Sequence, residues 1–378
     1  MSESQQQVHR QIASVDSIDS LRQLIRQTES ILIVGSRTKP SLSSVDAEIQ
    51  LVSTRPLTGI IQYEPSEFTF TARAGTTLQE IRAALAEKNQ YLPFDPLLVR
   101  QDATIGGTLA AGISGPGRHR FGGVRDFVLG AQFVAGDGQL IESGGKVVKN
   151  AAGFDIPKLL VGSCGRLAAI TALTFKVFPK PIEFHTHRIS CDDHAQASDL
   201  VASLARGRWE LDAIDYRAET RSIWIRIGGS ESACDAIAKD IAKVLGDREV
   251  VAIDAELAIQ GWQQLGDLSF GGTSRDGAVK VPFTLQQMRR LAAWCDDHRD
   301  AVCLHASVAG SIGWLAVGDG FLGRVDAWLK ESQMNGLVLR GAIDPGGSCV
   351  IGDHRSGPIE SAIKNAMDPP GRFPSFQG

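Results

Sequence analysis

The sequence of 378 residues predicts an α+β protein built in two successive parts, and three observations support this. Fifteen of the 40 glycines fall within residues 106–165, which are also rich in apolar residues, so this block is expected to fold with its backbone close to a neighbouring group. The second half alternates strand-like and helix-like segments, the pattern of an antiparallel sheet with helices on one face. Pro179 and Pro181 separate the two patterns. We therefore expect a first domain over residues 16–180 and a layered α+β domain over 181–355.

Local signals predict each element of the first domain in turn. Apolar residues at helical spacing predict a helix over 16–29, and a continuous apolar run predicts a buried strand over 31–34. Thr77 and Glu80 form a capping box, which predicts a helix that begins there and ends before Tyr91. The other elements are expected as two strands within 59–75, a turn and short helix at 104–112, strands at 127–135 and 139–142, a short helix at 155–160 and a strand at 168–177.

The second domain is expected to contain eight strands and four helices. The strands are predicted at 184–190, 213–217, 223–227, 250–253, 279–282, 302–307, 312–317 and 336–339. The helices are predicted at 193–206, 232–245, 285–298 and 321–333. Residues 1–15 are expected to be flexible, and residues 356–378 to form a C-terminal tail that returns to the first domain.

Composition excludes several classes of protein. The 39 basic and 43 acidic residues give a net charge of −4, so the composition lacks the excess of basic residues that is typical of nucleic-acid-binding proteins. No apolar run reaches the roughly 18 residues of a membrane-spanning helix, and the polar N-terminus is not a signal peptide. The six cysteines form no C-x-x-C pair, so neither an iron–sulfur cluster nor a structural zinc site is expected. Buried, free thiols in a cytoplasmic protein are the interpretation we favour.

Two glycine-containing segments suggest a cofactor site that is not of the Rossmann type, because G-x-G-x-x-G and the Walker A pattern are both absent. The loop Val34–Lys39 follows a buried strand and carries small, hydroxyl and cationic residues, as a pyrophosphate cradle requires. The segment Thr104–Gly112 has adjacent glycines that allow a planar group to lie against the backbone. The alternatives are a solvated polar turn for the first segment and a glycine-stabilised turn packed on a sheet for the second.

Motifs in this order and spacing resemble the vanillyl-alcohol-oxidase family, also called the p-cresol-methylhydroxylase (PCMH) type of FAD-binding protein. Within that family the chain is most similar to the E subunits of bacterial glycolate oxidase (glycolate dehydrogenase). The resemblance covers about residues 30–180 and the tail. The motifs that carry it are Tyr63–Ser66 with Ala74–Leu78, Thr104–Gly107 with Ala110 and Gly112, Gly112–Pro116, Phe121–Gly130, Val148–Asp155, Gly162–Leu167 and Ala366–Gly371.

The resemblance implies a PCMH-type FAD-binding domain of two α+β subdomains, followed by a ferredoxin-like α+β cap domain. It also implies the residues that hold the FAD. The pyrophosphate loop corresponds to Val34, Gly35, Ser36, Arg37, Thr38 and Lys39. The flavin would be lined by Thr104, Ile105, Gly106, Gly107, Ala110 and Gly112, with Gly122, Gly123 and Asp126 supporting that wall and Gly165 and Ile170 beside the adenine or ribose.

The cofactor is expected to be bound non-covalently, because no histidine lies between Gly35 and Ser44, where covalent relatives often place one. The implied partners are a homologous D-type FAD subunit and an iron–sulfur subunit, which would provide the electron exit that this chain lacks. Three functions remain open. They are a subunit that oxidises glycolate to glyoxylate, a flavin-binding structural or electron-relay subunit, and a stand-alone 2-hydroxy-acid dehydrogenase. Any membrane contact is expected to be peripheral, at the inner face of the membrane.

No catalytic residue is assigned by the sequence, but some candidates stand out. Arg118 is a candidate for clamping the substrate carboxylate, and His119 for accepting a proton. His305, in an apolar strand, is a second candidate base. The alternatives are solvated loop charges for the first two and a structural histidine for the third. His185 and His187 share a strand face, but no third ligand is evident, so no metal is expected.

Overall fold

The computed structural model describes residues 12–145, 154–246, 248–343, 347–354 and 357–375. The strands of the first part are β1 (Ala13–Ser14), β2 (Ile31–Val34), β3 (Gln50–Ser53), β4 (Ile60–Glu64), β5 (Thr69–Arg73), β6 (Gln90–Tyr91), β7 (Val128–Val134), β8 (Leu140–Gly144), β9 (Ala169–Lys176) and β10 (Phe178–Pro179). Its helices are α1 (Ile18–Gln27), α2 (Leu78–Ala86), α3 (Ile105–Ala111), α4 (Arg118–Phe121), α5 (Val124–Phe127) and α6 (Ile156–Leu159). Residues 1–11 of the expected flexible segment, and residues 148–153 of the Val148–Asp155 motif, lie outside these ranges.

The first part contains a small parallel sheet in the order β1-β3-β2, which is covered by α1. Leu21 and Ile25 of α1 are fully buried, as the helical spacing of apolar residues predicts. The C-terminal residues lie against this layer, since the Ile31 amide donates to the Arg372 carbonyl at 2.7 Å. Phe373 is buried in the same cluster. Strand β2 therefore ends in a firmly held position, immediately before the loop that begins at Gly35.

A five-stranded antiparallel sheet in the order β4-β5-β9-β7-β8 forms the second layer of the first part. Helix α2 begins at the expected capping box, which is confirmed. The Thr77 hydroxyl accepts from the Glu80 amide at 3.1 Å, and the Glu80 carboxylate accepts from the Thr77 amide at 2.9 Å. Such a cap stabilises a helix by about 1 kcal/mol. Helix α3 packs against this sheet at Gly106, where a β-carbon would lie only 2.7 Å from Cβ of Ala74.

The second part begins with β11 and contains the remaining elements. Its strands are β11 (Glu183–Ser190), β12 (Ala213–Arg217), β13 (Ser222–Gly229), β14 (Val251–Ala252), β15 (Gly277–Pro282), β16 (Val302–Ser307), β17 (Ile312–Val317), β18 (Asn335–Arg340) and β19 (Val350–Gly352). Its helices are α7 (His194–Arg206), α8 (Glu231–Val244), α9 (Ala255–Gly266), α10 (Leu285–Asp297) and α11 (Leu322–Glu331), followed by α12 (Pro358–Met367). The eight expected strands and four expected helices are all present.

The strands of the second part form one antiparallel sheet in the order β14-β11-β13-β12-β16-β17-β15-β18-β19. The order contains two ferredoxin-like units, β11-α7-β12-β13-α8-β14 and β15-α10-β16-β17-α11-β18, which meet where β12 pairs with β16. Each unit places its strands in the order 4-1-3-2, and the second unit runs across the sheet in the opposite direction. The expected ferredoxin-like cap is therefore present as a pair of such units.

Helix α9 lies on the opposite face of this sheet from α7, α8, α10 and α11. Its Gly261 approaches Trp224 so closely that a β-carbon there would lie 2.5 Å from the indole ring. The neighbouring Trp262 donates its indole N–H to Thr186 at 2.9 Å. The sequence does not reveal this helix, because Leu257 and Ile259 are exposed and blur its apolar face.

The two parts share one hydrophobic core. Ile105, Leu109 and Ile113 of the first part belong to the same buried cluster as Ala278 and Trp314 of the second. The side chain of Lys280 crosses the same boundary and donates to the Gly112 carbonyl at 3.2 Å. One face of the nine-stranded sheet therefore covers the C-terminal end of α3, within the glycine-rich block.

Candidate functional site

A cleft in the first part brings together several residues that were predicted to bind the cofactor. They come from the end of β2 and its loop, from the inner side of α3 and from the loop before β9. The predicted residues that line this cleft are Val34, Gly35, Ser36, Arg37, Thr38, Lys39, Thr104, Gly107, Ala110 and Gly165. These segments are distant in sequence. The cleft forms because α3 packs against the five-stranded sheet and places Thr104 beside Gly35, in the loop that follows the three-stranded sheet.

The loop after β2 contributes a buried cation to the cleft. The Lys39 ammonium is 8% exposed and donates to the Thr38 hydroxyl at 3.0 Å. Burial lowers the pKa of this ammonium to about 8. Neither Lys39 nor Arg37 forms an ion pair with any residue that the structure describes. Such cations are suited to an anionic group that enters the cleft.

The cleft also has the features that an FAD diphosphate requires. The hydroxyl of Ser36 in the cleft lining and that of Ser163, which precedes the lining residue Cys164, are buried and have no hydrogen-bond partner among the described residues. A β-carbon at Gly35 would lie 2.5 Å from the Thr104 hydroxyl, and one at Gly165 would lie 2.7 Å from the Ile33 carbonyl. Gly165 also has a φ of +73°, in the region that favours glycine. Open hydroxyls, a buried ammonium and close-packed glycines fit the cofactor that the resemblance implies.

Other predicted cofactor residues lie around the cleft rather than along its surface. Ile105 is fully buried and its side chain belongs to the shared core. Gly106 provides the contact between α3 and Ala74, as described above. Gly112 ends α3 with a φ of 62°, and its carbonyl accepts the Lys280 hydrogen bond. Ile170 is 5% exposed and pairs with Phe133 inside the five-stranded sheet.

Gly122, Gly123 and Asp126 form one local turn outside the cleft lining. The Gly123 amide donates to the Asp126 carboxylate at 2.8 Å. At Gly122, where φ is 88°, a β-carbon would lie 2.6 Å from the same carboxylate. This turn holds the start of α5, which precedes the central strand β7.

The candidate catalytic residues lie at the boundary between the two parts. Helix α4, which carries Arg118 and His119, packs on β12 of the second sheet. Arg118 is partly buried and has no ion pair among the described residues. Burial lowers the pKa of His119, and the carboxylates of Asp215 and Asp212 partly oppose that shift. His119 therefore faces the second sheet.

The next residue, Arg120, joins the two parts directly. Its guanidinium donates to the buried Asp212 carboxylate at 2.9 Å and also pairs with Glu210. A second pair, between Asp95 and Arg226, crosses the same boundary. Arg120 therefore links the two parts through ion pairs.

The second candidate base, His305, is part of a buried polar cluster in the second sheet. Its Nε2 lies 2.8 Å from Oδ2 of Asp215, and the Ser307 hydroxyl donates to Oδ1 of Asp215 at 2.8 Å. Serine and histidine thus contact opposite oxygens of one carboxylate. No Ser307–His305 bond is present, so this is not the order of a nucleophilic Ser-His-Asp triad. His305 is thus hydrogen-bonded to Asp215, and the charge of the same carboxylate partly offsets the lowering of the pKa of His119 by burial.

The two histidines of β11 do not form a metal site with other described residues. His185 lies 3.1 Å from the Glu183 carboxylate, whereas His187 is buried beneath the sheet. Throughout the described ranges, no three His, Cys, Asp or Glu side chains are close enough together to hold a metal ion. All six cysteines are buried and free, as expected.

Comparison with known proteins decides the family. Over 369 residues the chain is 35% identical to the glycolate oxidase subunit GlcE of Escherichia coli (strain K12), and the match covers 94% of each chain. The chain belongs to the GlcE family. Residues 10–144 also match the protein family described as FAD binding domain, which agrees with the cleft in the first part. The inferred relationship to the E subunit, and FAD as the cofactor, are confirmed.

Other relatives of this GlcE-family chain match over shorter regions. The glycolate oxidase subunit GlcD of Bacillus subtilis (strain 168) is 33% identical over 122 residues, which are 32% of this chain and 26% of GlcD. A D-2-hydroxyglutarate dehydrogenase of Xanthomonas citri pv. viticola is 30% identical over 210 residues, or 54% of this chain and 44% of that enzyme. The GlcE-family chain is thus related to FAD-dependent oxidoreductases of hydroxy acids.

A solved structure supports the fold. The chain superimposes on an alkyldihydroxyacetonephosphate synthase with a TM-score of 0.67 at 16% sequence identity, over 95% of this chain and 76% of that one. The expected PCMH-type α+β fold is therefore confirmed. In the part of the chain that the structure describes, no helix is both long enough and apolar enough to cross a membrane.

Two functional candidates were missed by sequence reasoning. Lys280 is the single charged residue of β15, and Asp215 is a fully buried carboxylate in β12, whose other charged residue, Arg217, lies at the end of the strand. A charge within a buried strand is itself a signal, because ionised side chains are seldom buried without a partner or a function. Trp314 gave no such signal, since tryptophan in a strand is ordinary core composition.

Proposed function

We propose that this chain is the FAD-binding subunit of a glycolate oxidase, and that it takes part in oxidising glycolate to glyoxylate. The observation that carries the proposal is the cleft lined by the Val34–Lys39 loop and α3, in a chain related over nearly its whole length to GlcE. The full-length relationship favours a subunit of a complex over a stand-alone 2-hydroxy-acid dehydrogenase. Single-turnover bleaching of the flavin by glycolate tests the proposal. A chain that stays oxidised with glycolate, both alone and with its partner subunits, would contradict it.

The proposed cofactor contacts follow the cleft. Lys39, Arg37 and the Ser36 hydroxyl would hold the diphosphate, and backbone amides around Thr104 and Gly107 would line the rest of the cofactor. Gly165 would leave room beside the nucleoside. The residues that lie outside the cleft lining would act indirectly. Of these, Ile105 and Gly106 would fix the position of α3, and Gly112 would end that helix. Gly122, Gly123 and Asp126 would hold the turn before α5. Ile170 would support the cleft from the five-stranded sheet.

The FAD is proposed to be non-covalent. Among the described residues, the cleft lining contains no histidine or tyrosine and only one thiol, Cys164, whose pKa is raised by burial to about 12. A thiol of that kind is a poor nucleophile toward a flavin ring. We therefore expect trichloroacetic acid to release the entire flavin into the supernatant, as measured by absorbance near 450 nm. Yellow colour retained in the washed pellet would contradict non-covalent binding.

When bound, the flavin supplies the oxidising step by accepting a hydride from the substrate carbon. This chain's own residues would bind and orient the 2-hydroxy acid. Arg118 would hold the carboxylate, since it carries a charge that no described residue pairs. His119 would accept the hydroxyl proton, because burial keeps its imidazole neutral near physiological pH. Helix α4 brings both groups to the boundary with the second sheet.

Arg118→Ala should slow flavin reduction by glycolate at least about tenfold while leaving FAD content unchanged, because a charged hydrogen bond contributes roughly 1.5 to 3 kcal/mol. Stopped-flow bleaching at 450 nm measures the rate. Arg125→Ala is the matched control, as Arg125 is an exposed arginine in the next helix. Equal rates in the wild type, Arg118→Ala and Arg125→Ala would remove Arg118 from the site.

The partners are proposed to be a D-type FAD subunit and an iron–sulfur subunit. The relationship to both GlcE and GlcD supports a multi-subunit enzyme. A flavin-binding subunit that only relays electrons is the second candidate. It is distinguished by bleaching that requires the D-type subunit and is insensitive to Arg118→Ala. Co-purification of the tagged chain from its native host tests the partners.

A cytoplasmic location, with any membrane contact peripheral, is part of the same proposal and is tested by fractionation.

A further inference from the structure

We propose that Lys280 and Trp314 of the second sheet, together with Arg118, form the subsite that binds the carboxylate of the 2-hydroxy acid. This inference rests on the proposed function and names two residues of the site that the sequence did not suggest. Three features carry it: two neighbouring cations without a counter-charge, a buried N–H donor without an acceptor, and a carboxylate-anchored histidine beside them.

The two cations are Lys280 on β15 and Arg118 on α4. Each is partly buried, and the described residues provide no carboxylate partner for either. Lys280 donates to a neutral acceptor, the Gly112 carbonyl at 3.2 Å, which leaves two of its three N–H groups available. Burial, together with the nearby Arg118 charge, lowers the pKa of Lys280 to about 8. Two like charges held close together in a partly buried site are stabilised when an anion binds between them.

The unpaired donor is the indole N–H of Trp314 on β17. This side chain is 1% exposed, and its Nε1 has no hydrogen-bond partner among the described residues. A buried donor that is left unsatisfied destabilises the folded protein, so it calls for an explanation. Trp314 lies directly opposite Lys280 in the β15–β17 pairing, which places the two side chains on the same face of the sheet. One planar carboxylate is able to accept from both.

A proton acceptor stands next in the same row. Trp314 lies directly opposite His305 in the β16–β17 pairing, and His305 is held by Asp215 at 2.8 Å. The charge of the same carboxylate also acts on His119 of α4, where it partly offsets the lowering of the imidazole pKa by burial. The sheet therefore presents cation, N–H donor and imidazole on successive strands. A small 2-hydroxy acid offers the matching groups, namely a carboxylate and a hydroxyl proton on adjacent carbons.

Two anions are available to such a site, the substrate carboxylate and the FAD diphosphate. The structure favours the carboxylate, because Lys39 and the unpaired Ser36 hydroxyl already serve the diphosphate within the cleft. Lys280 and Trp314 do not line that cleft. They lie toward the end of α3, next to the candidate bases.

The test uses the full chain loaded with FAD and oxalate, a carboxylate that the flavin does not oxidise. Oxalate affinity is measured by calorimetry, and FAD affinity by fluorescence quenching in a separate titration. Lys280→Met should weaken oxalate binding about tenfold or more, and Trp314→Phe about threefold, both with unchanged FAD affinity. Lys330→Met and Trp328→Phe, on the surface helix α11, are the matched controls and should bind oxalate like the wild type.

Each outcome has a defined meaning. Wild-type oxalate affinity in a folded Lys280→Met protein overturns the proposal. A loss of FAD affinity with oxalate affinity retained assigns Lys280 to the diphosphate and also overturns it. If Lys280→Met does not fold, Trp314→Phe decides, because phenylalanine keeps an aromatic side chain at this position and lacks the indole N–H group, and Trp328→Phe controls for the smaller ring. Flavin bleaching by glycolate in the wild-type complex is scored separately, so the proposed function stands or fails independently.

Discussion

Lys39→Met is expected to weaken FAD binding about hundredfold and, at the same time, to make the FAD-free protein more stable. The ammonium is buried with the Thr38 hydroxyl as its hydrogen-bond partner, so its charge is unfavourable until an anion arrives. Methionine fills a similar volume without that charge. We expect the free energy of unfolding of the apoprotein at pH 7 to rise on the order of 2 kcal/mol.

The pH dependence of this lysine has a definite sign. Its pKa is about 8 in the folded apoprotein and near 10.5 when the chain is unfolded. Between these values the unfolded chain binds more protons, so apoprotein stability rises with pH from about 8 to 10.5. A bound diphosphate raises the pKa again, and FAD binding then takes up a proton above pH 8. FAD affinity should therefore fall as the pH rises beyond 8, and Lys39→Met should remove most of this dependence.

Thermal unfolding of the apoprotein and FAD titration between pH 6 and 9.5 measure both effects. Lys88→Met, on the exposed surface, is the control and should change neither. A Lys39→Met protein that loses stability and FAD affinity together would indicate a purely structural lysine. A rise in apoprotein stability together with a fall in FAD affinity would support the role of Lys39 as a charged group that binds the ligand.

Asp215→Ala is expected to lower the free energy of unfolding by about 3 kcal/mol and to abolish flavin reduction by glycolate. The carboxylate is fully buried and accepts from both His305 and Ser307, so its removal leaves two buried donors without acceptors. The same loss frees His305 to rotate in the strand beside Trp314. Urea denaturation monitored by circular dichroism gives the stability change.

Asp215→Asn removes the negative charge of the side chain while keeping its size and its ability to form hydrogen bonds. Its amide still bonds both neighbours, so stability should change little. The negative charge that holds up the pKa of His119 is lost, however, and that pKa should fall further. The acid limb of the flavin-reduction pH profile should consequently move to lower pH. Asp297→Asn and Asp297→Ala, at an exposed position of α10, serve as controls. An unshifted profile would show that Asp215 does not act on the base.

The layered arrangement of the second part could be predicted because eight of its nine described strands and four of its helices carry their own periodic patterns; the three-residue edge strand β19 was not predicted. Helix α9 could not be predicted, because Gly261 breaks the apolar periodicity of its sequence and only some of its apolar residues are buried. Leu265 is buried in the shared core, whereas Leu257 and Ile259 remain exposed. Local patterns also give no sign that two ferredoxin-like units would join through β12 and β16. That pairing depends on strands about 90 residues apart.

The cofactor site was more accessible to sequence reasoning than the substrate site. The loop from Val34 to Lys39 and the segment beginning at Thr104 each carry a recognisable combination of glycine, hydroxyl and cationic residues. Lys280, Trp314 and Asp215 do not belong to any contiguous motif. They become neighbours because strand register places them on one face of a sheet, and register depends on pairing across the whole domain.

The sequence by itself determined the α+β fold and the position of the capping box at Thr77, because helix capping, turn chemistry and hydrophobic periodicity act over a few residues. The cofactor class followed from the resemblance of its motifs to a family of FAD-binding proteins. Only the tertiary structure decided which face of the second sheet meets α3, and that the carboxylate that bonds His305 also acts by its charge on His119. Those choices depend on which side chains are buried at the boundary between the two parts. A charged side chain that is buried there either destabilises the fold or binds a ligand.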